Sequence, residues 1–377
     1  MMVMIKGEIK GFCPSNYQEV ADKFLENLNS EEEIGASFTV IQNGKLIIDI
    51  HGGFKDKEQT DLWNADTLVG VHSTGKGIIS MLIALLIDQK KLDLDEFVSS
   101  YWPEFKGDGK EEIKVRTLLS HQGGMYAWRE KVHEDDFHNW AYIVELLEKQ
   151  SPLHKPNELI CYHPKTIGFL VGELIRRITK KTIGEFLKEQ ISIPLNVECF
   201  IGTPEVYHDN IATLISAPSL RKAFSDPKNI DEYTLVSFLN PGNRTKTANT
   251  KEYRLAEIPA LNCHSNSKSL AQIYDYFLNS DFISRETFDQ VTSIEVKGED
   301  QVMKRPMQWS PIGFSIGGGK LFGKSNLSFG HTGWGGSMAF ADPENNLSIS
   351  YTMNMLTGSM LGDQRALSLV ETTYKNL

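Results

Sequence analysis

What most restricts the fold of this chain is where its β-like runs fall: at the two ends, with a long helical stretch between them. Near the start, Tyr17, Val20, Phe24 and Leu28 recur at helical spacing within Asn16–Leu28. Two β-rich runs follow, Ala36–Gln42 and Lys45–Ile50, joined by Asn43-Gly44 and ended by Gly52-Gly53. Asn-Gly between apolar runs is a strong hairpin signal, because both turn residues must take positive φ. In the last quarter, Ile312–Ile316, Leu327–Gly330, Ser337–Ala341 and Leu347–Tyr351 are short β-like runs separated by Gly-rich or Asp-Pro-Glu-Asn turns. Ser359–Tyr374 then reads as a closing helix.

Between the ends, Lys76–Gln89 is almost wholly apolar and too long for a strand, so it reads as a buried helix. Lys90–Glu112 is polar and turn-rich, whereas Val115–Ser120, Ala141–Lys149, Thr166–Thr179, Ile183–Gln190 and Leu270–Leu278 have helical patterns. Gly202–Glu252 is poorly patterned, with loop signals at Asp226-Pro227 and Asn240-Pro241-Gly242. Strands from both ends must find each other, so the expected fold is α+β: one antiparallel sheet flanked by helices, with an all-helical domain inserted. The expected division is 1–95 plus 255–377 for the sheet domain and 96–254 for the insertion.

At 377 residues the chain buries a sizeable core easily, and its net charge of -10 argues against a nucleic-acid partner. Cys13, Cys161, Cys199 and Cys263 are scattered and form no C-x-x-C pair, so neither a zinc site nor a disulfide framework is expected. The N-terminal stretch lacks a long apolar region, and Ile78–Ile87 is too short to span a bilayer. A cytoplasmic protein without a membrane partner is the expectation.

Ser73-Thr74-Gly75-Lys76 stands immediately before the apolar helix. At a helix start, positions i and i+3 share a face, so the hydroxyl and the amine can meet. A serine needs a base to become a nucleophile, and a lysine serves if burial or a second cation lowers its pKa. Taken alone the motif is weak, because a Ser N-cap followed by a solvated Lys has the same letters. A rival nucleophile is Ser315 in Gly313-Phe314-Ser315-Ile316-Gly317, which matches G-x-S-x-G. That motif works on a strand-to-helix turn of a parallel sheet, and here another short β-like run follows. His51, His72, His121 and His163 lack helical pairing with carboxylates, so structural roles are expected for them.

Two further segments give the Ser-Lys pair its context: Cys161-Tyr162-His163-Pro164 ahead of a Gly-containing helix, and His331-Thr332-Gly333-Trp334-Gly335-Gly336 near the C-terminal end. Ser73-x-x-Lys76, Tyr162 and His331-Thr332-Gly333 occur in the order of the three motifs of serine β-lactamases and penicillin-binding proteins. The flanks Val71–Gly77, Leu118–Gly124 and Ile193-Pro194-Leu195 resemble the class C-like branch, which includes the family VIII carboxylesterases. The resemblance runs from about Gly35 to Tyr351.

That resemblance implies a β-lactamase/D,D-peptidase-type fold with the active site in the groove between the two domains. It implies Ser73 as nucleophile, Lys76 and Tyr162 as proton-transfer groups, and the backbone N–H groups of Ser73 and Trp334 as oxyanion hole. Tyr162 could act as a phenolate if a charged Lys76 were close. His331, Thr332, Gly333 and Trp334 would bind substrate, and Gly333, Gly335 and Gly336 would let the chain approach it closely. No metal or organic cofactor is implied. The sequence departs from the family at His331, where β-lactam-processing relatives have Lys, and at Pro164, where they have Asn. An esterase acting on small uncharged carboxylic esters is therefore the first expectation. A β-lactamase or D-amino-acid peptidase is the second, and a catalytically silent protein binding peptide or cell-wall fragments is the third.

Overall fold

The computed structural model describes residues 8–223, 230–242, 244–317 and 321–377. Residues 1–7, the Asp226-Pro227 loop signal and the Gly318–Lys320 segment after Ser315 lie outside the described residues.

One antiparallel sheet of nine strands is built from both parts of the chain. From edge to edge its strands are Lys10–Phe12, Lys45–Gly53, Gly35–Gln42, Leu347–Met353, Met338–Asp342, Phe329–Thr332, Ser315–Ile316, Arg305–Trp309 and Val296–Asp300. The expected union of the ends occurs in the middle: Gly35–Gln42 pairs with Leu347–Met353, placing Phe38 opposite Tyr351 and Val40 opposite Ile349. Asn43 and Gly44 have φ of 51° and 70°, as the hairpin turn requires. The edge hairpin Val296–Asp300/Arg305–Trp309 has no clear sequence signature, because Gly298, Glu299 and Pro306 interrupt any alternation.

The helix Ser267–Asn279 lies on this sheet, where Thr39 Oγ1 and Ser267 Oγ are 2.8 Å apart and Ser348 Oγ donates to Ala271 O at 2.9 Å. The helices Gln18–Leu28 and Gln364–Lys375 pack together, and Asn27 Nδ2 donates to Arg365 O at 3.0 Å. The closing helix is shorter than Ser359–Tyr374, because Asp363 caps it by accepting from Arg365 N.

The apolar run forms Gly75–Asp88, buried from Gly75 to Leu86. A helix that is apolar all round needs cover on every side. Each fully buried Leu or Ile side chain contributes about 1.5–3 kcal/mol relative to leaving it in water. The glycines beside Lys76 allow that cover to come close: a Cβ on Gly75 would lie 2.5 Å from Cys263 Cβ, and one on Gly77 would lie 1.9 Å from the Tyr274 hydroxyl.

The poorly patterned Gly202–Glu252 stretch contains the short helices Glu205–Asn210, Pro218–Ala223, Glu232–Leu239, Thr245–Ala248 and Lys251–Leu255. Long-range bonds hold them, such as Asn240 Nδ2 to Trp128 O at 2.9 Å and Leu214 N to Asn249 Oδ1 at 2.8 Å. No described helix is long and apolar enough to cross a membrane.

Candidate active site

Ser73 sits in a turn of 3-10 helix, His72–Thr74, that runs straight into Gly75–Asp88. His72 takes φ of 47°, a left-handed conformation uncommon for a residue with a side chain, and this sharp turn precedes Ser73. Lys76 follows one helical turn later, and its Nζ donates to Ser73 Oγ at 2.6 Å. The same ammonium reaches Pro164 O at 2.8 Å and Ala260 O at 3.2 Å, so all three partners are uncharged oxygens. The solvated-lysine alternative therefore fails: Lys76 is 4% exposed. Burial pushes its pKa well below the usual lysine range, and the charge on Lys165 pushes it further in the same direction.

Tyr162 is 4% exposed and stacks on Trp309, the two rings nearly parallel at 5° and 5.4 Å apart. Lys76 Nζ lies 5.1 Å from the centre of its ring. Burial raises the phenol above its ordinary range, and hydrogen bonding with Ser73 offsets this only in part. The condition for a phenolate is a close and charged Lys76: Lys76 is close, and the downward shift of its amine and the upward shift of the phenol both favour the neutral pair.

Several groups that fix this constellation have no motif to announce them. Asp300, on the unforeseen edge hairpin, accepts from Tyr162 N at 3.1 Å through Oδ1 and from Trp309 Nε1 at 3.3 Å through Oδ2. Its carboxyl is pushed up to about 6 by burial, against four hydrogen bonds that favour the charged form. Lys165 is buried, and its ammonium is held by the carbonyls of Phe238, at 2.7 Å, and Pro241. Burial lowers Lys165 to about 7, with Glu134 acting in the opposite direction. Pro164, which has no side-chain amide, contributes its carbonyl to Lys76 instead.

The histidines brace the site. His163 donates from Nδ1 to Cys161 O at 2.7 Å and accepts at Nε2 from Met125 N at 3.1 Å, which fixes the neutral tautomer. His121 accepts from His163 N at 3.3 Å and packs edge-on against Tyr162 and Trp309.

On the sheet side, His331 is 3% exposed, and Nδ1 lies 2.7 Å from Thr332 O. Burial first, and the charge of Lys76 second, lower it to about 3, so it is a neutral imidazole. With the proton on Nδ1, Nε2 is left as an acceptor that no group among the described residues uses. It can receive a hydrogen bond and cannot pair with an anion.

The glycines after it allow close contacts within the protein. A Cβ on Gly333 would lie 2.1 Å from Ser337 Oγ and 2.4 Å from Val71 O. At Gly335 it would meet Leu356 at 2.6 Å, and at Gly336 the Arg365 guanidinium at 2.6 Å. At Gly333 the close approach is to the turn carrying Ser73, and at Gly335 and Gly336 it is to Leu356 and Arg365. Thr74 Oγ1, Ser337 Oγ and Val71 O are linked there at 2.9 and 2.8 Å. Trp334 meets His72 edge-on at 5.6 Å.

The rival Ser315 is 3% exposed in an antiparallel strand, opposite Gly330 on one side and Trp309 on the other. It is not on a nucleophile elbow. Ser73 by contrast lines a cavity of about 340 Å³ with His72, Pro164, Lys165, Phe238 and Trp334 among its walls. A narrower recess joins Ser73 to Tyr162, His331 and Trp309.

The β-lactamase family matches residues 20–372. A family VIII carboxylesterase of known structure is 31% identical, with a TM-score of 0.91 over 98% of this chain and 100% of its own. A penicillin-binding protein homologue from Caulobacter crescentus is 30% identical, with a TM-score of 0.89 over the same 98% and 100%. The curated protein "Esterase/beta-lactamase LipL" of Mycobacterium tuberculosis is 25% identical over 87% of this chain and 78% of its own length.

Proposed function

This chain belongs to the β-lactamase family and is a serine hydrolase, and on that premise we propose that it is an esterase working through Ser73, Lys76 and Tyr162. The observation that carries the proposal is the 2.6 Å hydrogen bond from a buried Lys76, without a carboxylate partner, to Ser73 Oγ. A neutral Lys76 takes the hydroxyl proton as Ser73 attacks an ester carbonyl. The backbone N–H groups of Ser73 and Trp334 hold the resulting oxyanion. Tyr162, a protonated phenol in this scheme, gives its proton to the departing alcohol oxygen and recovers one from the protonated Lys76, which becomes neutral again. Water then enters, gives a proton to the Lys76–Tyr162 pair as it attacks the acyl carbon, and the pair returns that proton to Ser73 Oγ as the acid leaves.

The neutral His331 supports a substrate without charge beside the scissile carbonyl, and Trp334, Phe238 and Leu261 favour an apolar one. In this reading the cleft lies between a sheet domain, 1–95 with 255–377, and a helical insertion, 96–254. His72 and Trp334 on one side and Pro164 and Phe238 on the other support that division. A β-lactam is the rival substrate, because the mycobacterial relative is named for both activities.

Labelling with an active-site phosphonate tests the nucleophile in wild type, Ser73→Ala and Ser315→Ala. Label should vanish only in Ser73→Ala; loss only in Ser315→Ala would overturn the assignment. No label in any form would instead favour a binding protein without catalysis. Hydrolysis of a chromogenic cephalosporin as fast as a short nitrophenyl ester would favour the β-lactam reading.

A further inference from the structure

The cavity in front of Ser73 contains a cation that the proposed chemistry does not use. Arg244 lines it together with Ser73, Leu220, Phe238 and Leu239, and no carboxylate is among its described lining residues. Lys165, the other cation there, spends its ammonium on the carbonyls of Phe238 and Pro241. Arg244 is different. Its backbone N–H donates to Glu134 Oε1 at 2.7 Å, while Thr247 Oγ1 occupies Glu134 Oε2. Among the described residues its guanidinium makes no hydrogen bond and no ion pair. Glu134 and Asp135 line the neighbouring cavity of about 510 Å³, on the far side of the wall formed by Leu239, Gly242 and Arg244. The main chain of Arg244 is therefore anchored, while its side chain is solvent-exposed at the wall shared by the two cavities, without a partner among the described residues.

We propose that Arg244 is an anion subsite, receiving a carboxylate that the substrate carries at the end remote from its ester bond. An arginine fork matches a carboxylate with two parallel hydrogen bonds, and an apolar spacer suits the leucine and phenylalanine walls between. A cavity of about 340 Å³ is at the small end for ligand sites, so the spacer is a few methylenes long. His331, where β-lactam-handling relatives have Lys, is neutral here, and a positive charge reaches the Ser73 cavity at Arg244 instead. The inference rests on the esterase proposal and specifies its substrate: half-esters of short dicarboxylic acids, or esters of short hydroxy acids.

Matched ester pairs test it and separate those two sources. On the acyl side, para-nitrophenyl hemiglutarate is compared with para-nitrophenyl pentanoate, which differs only in replacing the distal carboxylate by methyl. On the alcohol side, the butanoate ester of γ-hydroxybutanoate is compared with butyl butanoate, followed by acid release. Wild type should favour the acid of at least one pair by roughly ten- to a hundred-fold in kcat/KM, an effect that weakens as salt rises. Arg244→Met should abolish that ratio while leaving the uncharged ester unaffected, Arg244→Lys should keep part of it, and Lys246→Met should keep all of it. Equal ratios in wild type and Arg244→Met on both pairs overturn the inference and leave the esterase standing. If no form hydrolyses any of the four esters, the esterase proposal falls, and this inference with it.

Discussion

Replacing Gly333 by Ala asks whether this residue serves the substrate or the protein. The added methyl would lie 2.1 Å from Ser337 Oγ, 2.4 Å from Val71 O and 2.8 Å from Thr74 Oγ1. Ordinary contacts need more than 3 Å, so two side-chain hydroxyls and a backbone carbonyl must each move by up to about an ångström or more. Overpacking of this kind costs about 1–3 kcal/mol. The Thr74–Ser337 and Ser337–Val71 hydrogen bonds, 2.9 and 2.8 Å long, are in the path of that movement. Losing both adds about 0.5–1.5 kcal/mol each. The sum is roughly 2–6 kcal/mol, which at about 2 °C per kcal/mol for a large domain lowers the melting temperature by roughly 4–12 °C. The same displacement moves the turn carrying Ser73, and misplacement by about 1 Å can cost on the order of 100-fold in rate. Differential scanning calorimetry and kcat on a short nitrophenyl ester measure the two effects. A variant that melts within about a degree of wild type, with kcat intact and KM alone raised, would refute the packing argument and restore a substrate-facing role.

Three further outcomes are expected. Tyr162→Phe removes the proposed proton donor without emptying the stack on Trp309, so kcat should fall by about 10²–10⁴-fold with phosphonate labelling slowed and melting little changed. Lys165→Met deletes a charge that depresses Lys76, so Lys76 should hold its proton to higher pH. The acidic limb of kcat/KM, which rises as Lys76 becomes neutral, should then move upward in pH, while Lys165→Arg keeps it low; a downward shift in Lys165→Met would sink the assignment of Lys76 as base. Arg365→Met takes away the cation paired with buried Glu33 and Asp363 and removes the 2.8 Å bond to Gly335 O beside Trp334. Breaking a buried ion pair costs about 3–5 kcal/mol, so a clear loss of thermal stability should accompany a fall in activity.

The parts of this molecule legible in the sequence are those whose chemistry is local. Asn43-Gly44 specifies its own turn, and the apolar run after Gly75 needs burial wherever it goes. Ser73 and Lys76 could be paired because a helix start puts them on one face. What stayed hidden depends on distant partners. Trp309 and Asp300 reach Tyr162 only because Val296–Asp300 and Arg305–Trp309 pair at the sheet edge, and their sequence has no clean alternation. Lys165 reads as an ordinary charged residue until the carbonyls of Phe238 and Pro241 close over it. Pro164 looks like the loss of an amide, yet its backbone supplies an acceptor that sequence letters do not display. For Gly333 the sequence displays the residue and not its neighbours Ser337, Val71 and Thr74, the last two from a distant part of the chain.

The central pairing of Gly35–Gln42 with Leu347–Met353 also governs when the enzyme can come into being. On the ribosome Ser73 and Lys76 emerge well before the strand bearing His331, the turn bearing Trp334 and the strand that pairs with Gly35–Gln42. A chain that has not yet reached those segments has Ser73 without the frame around it, so the site cannot be complete before they are made. Until then the waiting Gly35–Gln42/Lys45–Gly53 hairpin exposes an unpaired strand, and nascent chains are at their most prone to sticking together.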